Sequence, residues 1–237
     1  MARILFILSS ADELVLTDDQ HIATGFWAQE FIPPYEAFRQ AGHTVDIATP
    51  KGRAAVLDAL CLAPEFHLDD PSRPARLATA LAALPDWRRP LSAAALAGQG
   101  QIYDAVFFPG GHGPVVDLAD DAAVGSLVSR NHAAGGLIGA ICHGPAGLLP
   151  ARAGGQWLFR GQRMTCFSPE EERLAGLADR LPWLLADRLA DLGAELSFAP
   201  PGQAHVVHDR QLFTGQNPAS AGGLAQAMIA ALSGLGL

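Results

Sequence analysis

Three short apolar runs constrain this chain more than any other feature: Ile4 to Leu8, Tyr103 to Phe108 and Leu137 to Ile141. A strand with one face in water alternates apolar and polar residues, whereas a run without alternation must be covered on both faces, as in a parallel sheet. Each run stops abruptly at loop-forming residues. The first ends at Ser9-Ser10, the second at Pro109-Gly110-Gly111-His112-Gly113, and the third at Cys142-His143-Gly144-Pro145. Helical spacing lies between them, so strands alternate with helices and imply a mostly parallel sheet with helices on both faces.

The helical stretches follow from their punctuation. From Phe26 to Ala41 the apolar residues Phe26, Trp27, Phe31, Ile32, Tyr35 and Phe38 share a helical period; Gly42 stands at the C-cap, and Pro33-Pro34 predict a break or kink. Thr44 to Ala48 reads as the second strand, closing at Pro50. Ala75 to Leu84 and Leu91 to Ala97 are Ala/Leu-rich and predict helices inside a segment, 51–101, that reads as an insertion or cap beside the core. Ala122 to Ala133 is a helix stopped by Gly135-Gly136. Arg163 to Phe167 reads as a strand, Ser168-Pro169-Glu170-Glu171-Glu172 as an acidic helix start, and Leu181 to Leu192 as a further helix. Val206 to His208 and Gln211 to Thr214 predict a hairpin turning at Asp209-Arg210, and Asn217-Pro218 an N-cap and first turn for a closing helix to about Leu232. With no repeat and no linker, residues 1–237 read as one domain.

Composition narrows the function classes. With 17% charged residues and a net charge of −8, the chain has no basic stripe to meet a phosphate backbone, which argues against nucleic acid. Lys51 is the only lysine, which removes any mechanism needing two. The first apolar run stops after five residues and is followed by Asp12 and Glu13, a first strand rather than a signal peptide, and no stretch has the length of a membrane span. Three scattered cysteines, Cys61, Cys142 and Cys166, make no disulfide framework and fit a reducing, cytoplasmic setting.

Cys142 stands at the end of a buried strand, in a tight turn opening a helical pattern, which is how a nucleophile elbow is written. A helix N-terminus there would favour a thiolate and lower the pKa. The alternative is an inert buried thiol, the reading kept for Cys61 and Cys166. In open α/β sheets ligands bind outside the carboxyl ends of the strands, where the loop after Phe108 and the elbow after Ile141 converge. Gly110 and Gly111 could bring backbone N–H groups close to a ligand and, with the N–H of His143, form an oxyanion hole. His143 is a poor base for its own neighbour unless the fold turns its ring back over the pocket. Glu30 sits among Phe26, Trp27 and Phe31, where a carboxyl is either buried with a raised pKa, able to shuttle protons, or turned to solvent. Glu170, Glu171 and Glu172 read as helix-dipole partners, one of which could orient His143. The closest histidine pair, His205 and His208, lies on a strand-like stretch while His112 and His132 stand alone, so no metal is expected.

The segments Ala140-Ile141-Cys142-His143-Gly144-Pro145-Ala146, Phe107-Phe108-Pro109-Gly110-Gly111-His112-Gly113 and Thr24-Gly25-Phe26-Trp27-Ala28-Gln29-Glu30 resemble the ThiJ/PfpI superfamily, which includes the Parkinsonism-associated deglycase. The resemblance runs from Arg3 to Phe213-Thr214-Gly215-Gln216-Asn217-Pro218-Ala219-Ser220. It implies a flavodoxin-like three-layer sandwich of the class I glutamine amidotransferase type. It also implies Cys142 as nucleophile with Glu30 as its carboxyl partner. The histidine directly after the cysteine points to the branch of heat-shock chaperones with glutathione-independent glyoxalase III activity, where an acid completes a triad; Glu172 matches best, with Glu170 and Glu171 as alternatives. The implied substrate is a small dicarbonyl or a glycated molecule, with no cofactor, in a homodimer. Two other readings stay open: a cysteine amidase, peptidase or small-molecule hydratase, and a holdase chaperone or redox-stress sensor.

Overall fold

The computed structural model describes residues 1–236. Its central sheet has seven strands: β1 (Arg3–Ile7), β2 (Thr44–Thr49), β3 (Leu91–Ser92), β4 (Ala105–Phe108), β5 (Leu137–Ile141), β6 (Val206–Asp209) and β7 (Leu212–Gly215), in the spatial order β6-β7-β5-β4-β1-β2-β3. All neighbours are parallel except β6 and β7, which form the expected hairpin. The chain winds outward from β1 in one direction through β2 and β3, then returns to β4 and winds the other way through β5. The order therefore reverses beside β1, and the ends of β1, β4 and β5 open onto the crevice where such folds bind ligands.

Alternation along the strands sends side chains into two cores. Ile4, Phe6, Phe107 and Leu137 pack on one face against Phe31 and Phe38 of α1 (Ala28–Gln40) and Leu224 and Met228 of α8 (Ala221–Gly234). Leu5, Ile7, Val106, Phe108 and Ile138 pack on the other, against Leu96 of α3 (Ala93–Gly98), Leu127 of α5 (Ala122–Ala133) and Leu189 of α7 (Leu185–Asp191). Each such side chain, removed from water, contributes about 1.5–3 kcal/mol. Phe6 stacks on Phe107 at 4.7 Å and meets Phe31 edge-on at 5.9 Å, which ties α1 to β1 and β4. This is the three-layer arrangement that the strand and helix pattern implied.

Several local expectations change. α1 begins at Ala28 and runs through Pro33 and Pro34 without a break. The prolines remove the donors that would meet the carbonyls of Gln29 and Glu30, but burial of Phe31, Ile32, Pro34 and Phe38 holds the helix together. Leu91–Ser92 is not helical: it is the edge strand β3, pairing with Ala48 and Thr49, so part of 51–101 belongs to the sheet itself. The helix α2 (Arg73–Ala83) lies within the same segment, and the short α4 (Gly113–Asp117) follows the Gly110-Gly111 loop. Of Arg163 to Phe167 only Arg163–Met164 forms a strand, in a separate two-stranded sheet with Glu195–Leu196. The helix expected from Leu181 starts at Leu185, after Pro182. Among the described residues no helix is long and apolar enough to cross a membrane.

Candidate active site

Cys142 follows β5 directly and has a left-handed backbone, φ +60°, a conformation that costs a non-glycine residue energy and that tertiary contacts must hold. Two ladder-like bonds do so: its N–H donates to Gly215 O at 2.9 Å, and its carbonyl accepts from Phe167 N–H at 2.9 Å. The turn that follows is a five-residue 3-10 helix, Gly144–Leu148, rather than an α-helix. The strain re-aims the next residue. His143 Nδ1 comes to 3.4 Å from Cys142 Sγ, although neighbours in sequence ordinarily diverge.

On the opposite ring nitrogen, His143 Nε2 makes a short hydrogen bond to Glu172 Oε1. Glu172 lies on α6 (Pro169–Leu174), whose start explains which glutamate is used. Ser168 and Glu171 form a capping box: Ser168 Oγ accepts from Glu171 N–H, and the Glu171 carboxylate accepts from Ser168 N–H, both at 3.1 Å. Glu171 Oε2 also accepts from Gln216 Nε2 at 2.9 Å, and Oε1 from Asn217 Nδ2 at 2.7 Å and Gly202 N–H at 3.0 Å. Glu171 is thus committed to structure, Glu170 faces solvent, and Glu172 is turned inward to His143. Asn217, expected as a helix cap, makes no capping bond and serves this carboxylate instead. The Ser-Pro-Glu-Glu spacing of the capping box was visible in the sequence and would have separated Glu171 from Glu172.

Glu30 approaches from the first turn of α1 and is fully buried. Its Oε2 accepts from Gly110 N–H at 2.8 Å, while Oε1 is buried without a hydrogen-bond partner and the carboxyl lies against the Cys142 thiol. This corrects one part of the expected oxyanion hole, because the Gly110 N–H is already occupied. The Gly111 N–H instead faces the Cys142 thiol and acts to lower its pKa. A side chain at Gly110 would bring Cβ within 2.7 Å of Cys142 Cβ, and at Gly111, φ +86°, it would strike Gly25 O, so this loop can press against the thiol only as Gly-Gly.

The electrostatics divide the acids into three states. Burial raises the Glu30 pKa to about 8, with the thiol and Gly110 N–H opposing the shift, so the carboxyl keeps its proton at neutral pH. Burial, then the charge of Glu30, push the Cys142 thiol well above its usual range, contrary to the lowering expected from a helix N-terminus. Two acids buried together cannot both ionise, so they share proton and charge as a pair. Burial and the neighbouring His112 hold His143 below its ordinary pKa despite the counter-pull of Glu172, so its imidazole is neutral. Glu172 is itself buried, which alone would raise its pKa, but the two histidines outweigh that and keep it ionised.

His112, read from the sequence as standing alone, is the residue that reading missed. Its Nε2 lies 3.3 Å from both oxygens of Glu172, and its ring is 4.0 Å from that of His143. The other histidines are elsewhere: His205 Nε2 meets Ser197 Oγ at 3.0 Å, and His208 stacks on Phe213 at 4.0 Å. Cys61 and Cys166 are buried thiols with pKa values raised by burial.

The strained cysteine elbow, its Gly-Gly loop and the buried Glu30 all fall within stretches of the chain that family models match. The DJ-1/PfpI family model matches residues 93–231, and a ThiJ/PfpI family-like model matches 22–156. The chain belongs to the DJ-1/PfpI family. A protein named glyoxalase 3 from Candida albicans is 26% identical over 244 residues, covering 98% of both chains. A protein/nucleic acid deglycase from Pseudomonas aeruginosa is 28% identical over 235 residues, 94% of this chain and 78% of its own. A bovine glutamine amidotransferase-like class 1 domain-containing protein is 37% identical over 123 residues, a match that spans 51% of this chain and only 56% of that protein. Among solved structures, a 24 kDa rapid encystment protein of Francisella tularensis superposes with a TM-score of 0.81 at 30% identity, covering 98% of this chain and 99% of that one.

Proposed function

We propose that this DJ-1/PfpI family member is a glutathione-independent glyoxalase of the glyoxalase III type, converting a small dicarbonyl such as methylglyoxal to lactate. The carrying observation is the double flank of Cys142, with a protonated carboxyl on one side and a neutral imidazole anchored by Glu172 on the other. The names of the full-length relatives, glyoxalase 3 and deglycase, support the same chemistry.

The residues divide the work as follows. With Nε2–H donated to Glu172, His143 presents a bare Nδ1 to the thiol and accepts its proton as sulfur adds to the aldehyde carbon. The new oxyanion rests against the Gly111 N–H and the backbone N–H of His143. The Glu30 carboxyl, whose Oε1 has no other partner, first gives its own proton to this alkoxide. As the carboxylate it then takes the proton from the first substrate carbon and delivers it to the second, while the hydroxyl proton passes from the first substrate oxygen to the second, leaving a lactoyl thioester. The proton held by His143 returns to Glu30. Water then cleaves the thioester, returning the thiol and lactate. One carbon is oxidised as its neighbour is reduced, so the chemistry balances without an external redox group.

Burial argues for a small substrate. Cys142 is 5% and His143 2% exposed, which favours a small substrate over an extended peptide. Glycated adducts that release a small carbonyl would reach the same thiol, so deglycase activity belongs to the proposal, as does a cytoplasmic homodimer. Incubation with methylglyoxal in the absence of glutathione, with chiral lactate analysis, is the test. Lactate formed at the same rate by Cys142→Ala would refute the assignment, and a light-scattering mass of one chain would refute the dimer.

A further inference from the structure

We propose that His112, His143 and Glu172 form a capture site for a zinc-class divalent ion, and that its occupancy switches the enzyme off. The inhibitory part rests on the glyoxalase reading of His143; the binding site does not. The Nε2 atoms of both histidines converge on one carboxylate, and the three ligand atoms lie within 4.8 Å of one another. Imidazole nitrogens and a carboxylate are the donor set that such ions prefer.

The spacing at His112 carries the inference. Its Nε2 stands 3.3 Å from both Glu172 oxygens, longer than the about 2.7–2.9 Å of a charge-assisted hydrogen bond. Two ligand atoms at about 2.0–2.1 Å from a tetrahedral ion are about 3.3 Å apart. The His143 to Glu172 contact has to open for an ion to enter. Access comes from the side of His112, whose side chain is 18% exposed while those of His143 and Glu172 are 2% and 4% exposed. The sulfur is excluded from this donor set, because it faces Nδ1 on the far side of the His143 ring.

That geometry also explains why binding would stop turnover. A metal on Nε2 leaves the single proton of the neutral ring on Nδ1, where it points at the thiol as a donor. His143 then has no lone pair for the Cys142 proton, and Glu172 is withdrawn into the coordination sphere. Removing the ion restores the relay.

The experiment titrates the chelator-treated, full-length protein with Co2+ and Zn2+. Expected are one ion per chain, the visible absorption of four-coordinate cobalt without a sulfur charge-transfer band, and binding within about threefold of wild type in Cys142→Ala. His112→Asn and His112→Gln, each checked for wild-type circular dichroism, should weaken binding by about tenfold or more. Zn2+ should inhibit methylglyoxal turnover and a chelator should restore it. A sulfur band, loss of binding in Cys142→Ala, or undiminished binding in both folded His112 variants would overturn the site. Absence of lactate from the metal-free enzyme would refute the glyoxalase reading alone, since the cobalt titration still decides the metal site.

Discussion

Replacing Glu30 by glutamine should stabilise the protein while disabling it. In the unfolded chain this carboxyl ionises at its ordinary pKa of 4.5, but burial in the fold raises the value to about 8. At pH 7 the folded state therefore has to take up a proton that the unfolded state has released. The cost is about 1.4 kcal/mol for each pH unit above 4.5, or roughly 3 kcal/mol at pH 7. Because the folded pKa is the higher one, the native state has its full relative stability below pH 4.5, loses it as pH rises, and reaches a plateau of loss above about 8. Glutamine has nearly the same shape, its carbonyl can still accept from Gly110 N–H, and it has no ionisation to suppress. Its Tm at pH 7 should exceed that of wild type by roughly 6–12 °C, a gain that shrinks toward zero near pH 4.5. Lactate formation should fall by about 100-fold or more, because an amide cannot shuttle the proton. Thermal unfolding from pH 4.5 to 8.5, alongside turnover, measures both. A variant less stable than wild type at pH 7, or a stability difference that does not change with pH, would refute the reasoning.

Further predictions concern the neighbours. Glu172→Gln should lower kcat by about 100-fold or more with little change in KM, since it allows the wrong His143 tautomer without altering substrate contacts; steady-state kinetics with methylglyoxal decides it. Glu171→Ala should cost about 3 kcal/mol in urea unfolding, because the donors of Ser168, Gly202, Gln216 and Asn217 lose their shared acceptor; a loss below about 1 kcal/mol would contradict the clamp. Gly110→Ala should abolish turnover by driving a methyl group against Cys142 Cβ and Glu30, and wild-type kinetics in that variant would contradict the packing. With wild type, kcat/KM should decline above about pH 8 as Glu30 loses its proton. A profile flat to pH 10 would remove Glu30 from the chemistry.

The apolar runs at Ile4, Tyr103 and Leu137 sufficed to read buried parallel strands, and helical spacing sufficed for α1 and α5, because both depend on short-range periodicity. Ser168-Pro169-Glu170-Glu171 likewise contained its own capping box. The helix expected over Leu91 to Ala97 is present as α3 from Ala93, but its first two residues and the break expected at Pro33-Pro34 differ for the opposite reason: pairing with Ala48 and Thr49 and burial of Phe31 and Phe38 are long-range energies that override local preference.

By itself, then, the sequence determined a cysteine at the carboxyl edge of a parallel sheet, a Gly-Gly loop beside it and a glutamate on an apolar helix. Tertiary structure alone decided their states. It turned His143 back onto its neighbour through a left-handed Cys142, chose Glu172 over Glu171, gave the Gly110 N–H to Glu30, and brought His112 to the same acid. It also reversed the expected shift of the thiol, because desolvation and a facing carboxyl are properties of the surroundings. A sequence lists which groups can ionise; the dielectric and the charges around each group, set by residues far away in the chain, decide which of them do.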